Sequence, residues 1–316
     1  MKPHHLQLGL GALVLAWILG SAATFGAGNG KSLLRRDLDR SLEPPSVAVL
    51  RALTDRRPPA EAPRGRPAVG GFPATAEPEE RRGFGGWLGT DTDGRSLAYL
   101  LLAAPGFYLR HGLLYVALAT ATLLAVGVAT GYAPRSFPGR AASWIVESNH
   151  ALPQLLVIFA VLSITDTRMT SLVVGLAVIS GLAKSILIRN KIEKTRSEDF
   201  LQGLREMGLS HAAIVGRHLV RTHLRALLLV LVPFLLAELV LFEACVGYLE
   251  RPVDVRDDLS FGALLFKAVN VLGRGQEGTL WVFAFPAAGI VVLVWGLYAL
   301  GSGLAHAFQE RNPYSL

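Results

Sequence analysis

The chain has 316 residues, of which 51% are hydrophobic and 17% charged, and its mean hydropathy of +0.41 is too high for an ordinary soluble domain. The formal net charge of +7 would point to nucleic acid in a soluble protein, but much of the basic excess flanks apolar runs, where it sets membrane orientation, so no nucleic-acid partner is expected. A single cysteine, Cys245, excludes an internal disulfide and a cysteine-built metal site.

Asp, Glu, Lys and Arg are absent from residues 112–134, 148–165, 169–183, 226–237 and 278–309. Several of these runs reach the roughly 20 residues that cross a bilayer. The reading is an all-α integral membrane protein with six spans, over residues 6–26, 110–132, 142–164, 169–189, 224–249 and 278–304. The first run follows Met1-Lys2 and ends near Ser21-Ala22-Ala23, like a signal peptide, but its apolar portion is long for one. It is read as a retained helix, residues 1–26. Residues 27–107 lack a sustained apolar period and are rich in Pro, Arg and Glu between 56 and 78, so an extracytoplasmic, partly disordered linker is expected there. A membrane domain over 108–309 and a tail over 310–316 complete the chain.

Basic residues in short loops fix the topology. Arg135 and Arg140 follow the second span, and Arg189, Lys191, Lys194, Arg196, Arg205, Arg217, Arg221 and Arg225 lie between the fourth and fifth. Both loops should be cytoplasmic. With the first helix kept, the N- and C-termini are then cytoplasmic in a multi-pass cell-membrane (inner-membrane) protein, and the long linker faces outward, exempt from the rule by its length.

The loop after the fourth span reads as two short helices. Ser197 caps the first, with Glu198 and Asp199 in its opening turn and Phe200, Leu201, Leu204 and Met207 along one face. Gly208 breaks the run. Ser210 caps the second, where Ala212, Val215 and Leu219 share a face and Arg217, His218 and Arg221 lie around the rest. Two uses fit this pattern equally on physical grounds: an amphipathic surface resting on anionic membrane lipid, and a dock for a partner protein.

Ionisable residues at membrane depth are costly and mark functional candidates. Glu147 and Lys184 each fall about 7–8 Å from the expected cytoplasmic ends of their spans, which fits two readings equally, an ion pair between them and Lys184 snorkelling alone to the interface. Glu238 falls about 20 Å from its end, which places it out of reach of Lys184. Glu243 follows five residues later, nearer the outer surface, and Asn149 shares the third span with His150 and Pro153. His211, His218 and His223 have neither the spacing nor the companions of a metal site. The stretch ending Gly30-Lys31-Ser32 has Phe25 where a phosphate-binding loop needs its first glycine. No cofactor and no enzymatic constellation are expected.

Six segments, in the family's order along the chain, resemble one family. QGLREMGLS (Gln202 to Ser210), followed by IVGRHL (Ile214 to Leu219), resembles the EAA loop of ABC importer permeases of the dipeptide, oligopeptide and nickel type. Arg205, Gly208, Ser210, Ile214, Arg217 and His218 match, whereas Gln202, Gly203 and Leu204 replace the acidic-Ala-Ala triplet and Arg221 the usual proline. WLGTDTDGRS (Trp87 to Ser96) resembles the LGTDxxGRD sequence of the second, C-type subunit, with Ser96 for Asp. HALPQLLVIF (His150 to Phe159) is similar to its ALPxLLL run and AELVLFEACVGYL (Ala237 to Leu249) to AEASLSFLG through Glu243 and Ala244, with Glu250, Arg251 and Pro252 in place of its glycine-rich end. LSFGALL (Leu259 to Leu265) and LGSGLAHAF (Leu300 to Phe308) resemble SWGAML and LGDGLRDAL.

The resemblance implies a type I ABC importer permease fold with cytoplasmic coupling helices and no ATPase site of its own. It implies a second permease subunit as heterodimer partner, separate ABC ATPase subunits that dock on the 197–222 loop through Gln202, Gly203, Arg205, Gly208, Ser210, Ile214, Arg217 and His218, and an extracytoplasmic solute-binding protein. Glu238, Glu243 and Asn149 become candidates for the translocation path of a peptide or related small solute. The alternatives are a permease diverged towards another cargo, a membrane anchor or scaffold with a degenerate, non-transporting permease domain, and a stand-alone channel.

Overall fold

A computed structural model describes residues 3–26, 41–42, 44–45, 87–165, 169–196, 203, 206–249, 259–274 and 280–311. Helices dominate: α1 (Pro3–Gly26), α2 (Leu97–Tyr132), α3 (Phe137–Ala151), α4 (Gln154–Ile164), α5 (Met169–Arg196), α6 (His211–Leu249), α7 (Phe261–Leu272) and α8 (Trp281–Arg311). Five of these are long and apolar enough to cross a membrane, or six if α3 and α4 together form one bent span. Among the described residues there is no β-strand beyond an isolated bridge between Thr90 and Ser96. The chain is a multi-pass, all-helical membrane protein.

Several expected boundaries move. The third span, expected as one helix over 142–164, is broken and bent by 100° between α3 and α4. Pro153 causes this, because it has no N–H to donate and forces Leu152 out of helical conformation, and both residues are extended, at ψ 138° and 121°. The second span begins at Leu97 rather than residue 110, and the fourth runs to Arg196 rather than 189. The fourth span's polar end continues the helix because intrahelical hydrogen bonds persist into the headgroup region, whereas the second span's added residues, Leu97 to Leu109, are apolar and mostly packed in the core. The second helix of the basic loop is not separate either. A first turn, His211–Ala213, passes through wide π turns over Ile214–Leu224 straight into Arg225–Leu249.

Packing follows small residues. A Cβ placed on Gly181 of α5 would lie 2.6 Å from Thr122 Cβ, and one on Gly127 of α2 would lie 2.5 Å from Ile188 Cβ, so α2 and α5 meet almost backbone to backbone. α1 packs against α8 and α2, and α7 fills the angle between α6 and α8. Leu97, Leu100, Ala104, Ala237, Phe261, Leu264 and Leu293 form the core at the α7 end. Tyr115, Ile158, Leu172, Leu176, Leu235 and Leu239 form the middle, and Leu123, Ile188, Ile192, Ile214, Leu219 and Leu224 the basic end.

Candidate functional site

Three polar assemblies sit along this frame, one at each end of the spans and one between. At the α7 end, the turn before α2 is built on Asp91, whose side chain is 2% exposed. Its carboxylate accepts the N–H groups of Asp93 (2.9 Å) and Arg95 (2.8 Å) and the Arg95 guanidinium Nε (2.9 Å). Gly89 and Gly94 supply φ of 76° and 70°, which the tight return of the chain needs. Asp93 then reaches Lys267 of α7 at 2.8 Å. The Thr-Asp-Thr-Asp-Gly-Arg sequence therefore ties the start of α2 to α7.

Next to it, Glu243 of α6 is fully buried. Tyr108 Oη donates to Glu243 Oε2 at 2.6 Å and accepts the Phe261 N–H at 3.1 Å, and the Gly262 N–H donates to the same carboxylate oxygen at 3.2 Å. A carboxylate at the N-terminus of α7 satisfies amides that the helix itself leaves unpaired. Gly262 permits the approach, since a Cβ there would lie 2.6 Å from Glu243 Oε1.

In the middle, Lys184 Nζ donates to both oxygens of Glu238, at 2.8 and 2.7 Å, and Tyr115 Oη donates to Glu238 Oε2 at 2.8 Å. This overturns both expectations for Lys184: its partner is Glu238, and Glu147 is exposed. The reason is the length of α5. With the helix continuing to Arg196, Lys184 lies about 18 Å from its basic end and Glu238 about 20 Å from Arg225, a common level. Asn149 of α3 donates to the Ile179 carbonyl of α5 at 3.4 Å, so it joins α3 to α5 about 7 Å along α5 from Lys184.

The basic end carries the loop singled out by sequence. Gln202 and Arg205 lie outside the described residues, as do 197–200. Gly203 accepts a helical hydrogen bond from Met207 at 3.0 Å, and Gly208 then turns the chain with φ 77°. Ser210 accepts the Ala213 N–H and opens α6, as its N-cap position predicts. Along the π segment, Ile214, Leu219 and Leu224 are fully buried, one side chain every five residues, which suits the π pitch rather than the 3.6-residue face expected through Ala212, Val215 and Leu219. Ala212 is exposed. Arg217 and Arg221 are exposed and His218 is half-buried. Tyr132 Oη, at the end of α2, lies 2.6 Å from His211 Nδ1.

No family model matches the chain. Individual proteins do. It is 22% identical over 245 residues to the dipeptide transport system permease protein DppC of Alkalihalophilus pseudofirmus, covering 71% of this chain and 72% of that protein. To the oligopeptide transport system permease protein OppC of Mycobacterium tuberculosis it is 25% identical over 231 residues, covering 72% and 76%. The chain is a distant homologue of C-type peptide permeases. OppC of Escherichia coli shares 26% over 172 residues, 53% of this chain and 54% of its own length. Homologues of this kind are ABC permease subunits, which lack ATPase sites.

Sequence reasoning missed Tyr108 and Tyr115. Their signal was present: two tyrosines seven residues apart in an apolar span each need a polar partner, and Glu238 and Glu243, five residues apart on another span, need donors.

Proposed function

We propose that this permease is one half of a heterodimeric transmembrane pore in an ATP-driven importer of peptides or closely related small solutes. The observation that carries the reading is the loop joining α5 to α6. It carries the Gly208 turn, the Ser210 cap and the exposed Arg217 in the order and spacing of an EAA loop, with the exposed Arg221 beside them where that loop has a proline. Ile214, Leu219 and Leu224 anchor that segment on the basic-end core, so its apolar face is already used and its cationic face is left for a partner. A segment resting on lipid would instead bury its apolar face in the bilayer. The residues for coupling are Gly203, Gly208, Ser210, Ile214, Arg217 and His218, together with Gln202 and Arg205 by the resemblance.

In this reading the basic end is cytoplasmic, with both chain termini, and the Asp91 turn and α7 face outward. The transport domain, expected over 108–309, then also takes in the Asp91 turn and the start of α2, whose Leu97, Leu100 and Ala104 lie in its core, and the outward linker, expected over 27–107, precedes them. ATPase subunits take the 197–222 loop, a second permease subunit completes the pore, and an extracytoplasmic binding protein delivers the solute. Glu238 and Asn149, at mid-depth on α6 and α3, lie on the path, while Glu243 shapes it by holding α7.

The test is purification of the tagged permease from its native membrane. An ATPase subunit and a second permease should come with it, and the complex in proteoliposomes should accumulate tripeptide only when ATP is supplied. Recovery without any ATPase would favour a scaffold, and ATP-independent flux through this chain alone would favour a channel.

A further inference from the structure

We infer that the Lys184–Glu238 pair is a charge-exchange site for the two ends of a zwitterionic solute, a point that rests on the importer reading above. Three observations converge on it. Lys184 lies about 18 Å from Arg196 on α5 and Glu238 about 20 Å from Arg225 on α6, within two membrane helices where an unpaired charge is strongly disfavoured. It is nevertheless not sealed: the Lys184 and Glu238 side chains are 22% and 13% exposed, whereas Glu243, five residues along the same helix, is fully buried. And the pair ties together α5 and α6, the two helices that lead to the basic loop, whose backbones approach each other little, α5 packing mainly on α2 and α6 mainly on α8 and α7.

These features set the chemistry of the occupant. A pair needed only for packing would be enclosed, as Glu243 is. An open-sided pair between two helices whose backbones approach little can part, but parting leaves an ammonium and a carboxylate without counter-ions at membrane depth. A solute carrying one carboxylate and one ammonium supplies both: its carboxylate takes the Lys184 ammonium and its ammonium takes the Glu238 carboxylate. Tyr115 Oη, donating to Glu238 from a fully buried site on α2, keeps that carboxylate in place while Lys184 withdraws. Tyr115 is thus a positioning residue. No proton need move, because each charge exchanges one counter-ion for another.

The experiment uses the complete complex with its partner subunits in proteoliposomes, and tripeptides with free ends, an acetylated N-terminus or an amidated C-terminus that the wild type takes up. Lys184→Met should cut uptake of the free tripeptide at least tenfold and leave uptake of the C-terminal amide within twofold of wild type. Glu238→Gln should spare the N-acetyl form instead. The Lys184→Met/Glu238→Leu double variant removes both charges together, so it guards against misfolding of the single variants; it should assemble normally and lose selectivity between free and blocked peptides. Equal losses for all solutes, or undiminished uptake of the free tripeptide by the double variant, would overturn the site while leaving the importer reading intact. A wild-type complex that takes up no peptide would overturn both.

Discussion

Tyr108 Oη and Glu243 Oε2 lie 2.6 Å apart although 135 residues separate them in the chain, and the same phenol accepts the first amide of α7. One side chain thereby joins α2, α6 and α7. Tyr108→Phe removes the donor to a buried carboxylate and the acceptor for the Phe261 N–H together. A buried polar group left unsatisfied costs about 1–3 kcal/mol. Thermal melts of the detergent-purified protein should place Tyr108→Phe below wild type and the Tyr108→Phe/Glu243→Leu double variant lower still, because the second change also strips the Gly262 N–H of its acceptor. A double variant as stable as wild type would show that these hydrogen bonds are not what holds α7.

The Asp91 turn makes a second, separable prediction. Arg95 is 5% exposed and its guanidinium rests on Asp91 and Asp93. Asp91→Ala leaves that cation short of a counter-ion and strips two backbone amides of their acceptor, and breaking a buried pair in this way costs about 3–5 kcal/mol. Limited proteolysis should show new cleavage within residues 87–96. Asp91→Asn keeps an acceptor for the amides and should fall between Ala and wild type.

Gly181 tests the α2 to α5 contact on which the level of Lys184 depends. With Thr122 Cβ 2.6 Å from where its Cβ would be, Gly181→Leu must push the helices apart. Overpacking of this kind costs about 1–3 kcal/mol, and because Lys184 lies one turn further along, the separation should carry its ammonium away from Glu238. A Cys pair placed across α5 and α6 at that level should then lose cross-linking yield, while Gly181→Ala should lose less.

The number and order of the spans were legible because charge-free runs of bilayer length leave few alternatives. Ser210 and Gly208 were legible too, since a cap and a positive φ are local demands that the residue types state directly. Lys184 was misassigned for a definable reason: helix ends were placed where the apolar run stops, and an error of seven residues at Arg189 displaced Lys184 by about 10 Å along the axis. The π turns over Ile214–Leu224 could not be read at all. Their five-residue burial reflects contact with α2 and α5, not any property of the segment alone. The Asp91 turn was recognised only by likeness, yet its two glycines and its Asp-Arg pair carry the physics.

Gly208 separates a local backbone demand from a docking role. Its φ is 77°, and a Cβ at this position would meet nothing within 4 Å, so a substitution is resisted by backbone conformation and not by crowding. A left-handed conformation costs an ordinary L-residue roughly 1–2 kcal/mol, less for Asn. Gly208→Val should therefore leave the melting temperature of the spans almost unchanged, because the turn lies outside the core. If the turn aims the loop at an ATPase, the same variant should lower the amount of ATPase that co-purifies, and Gly208→Asn should restore most of it. Unaltered recovery of the ATPase with Val at this position would place the contact elsewhere on the basic end, with the exposed Arg217 and Arg221 as the residues to change next.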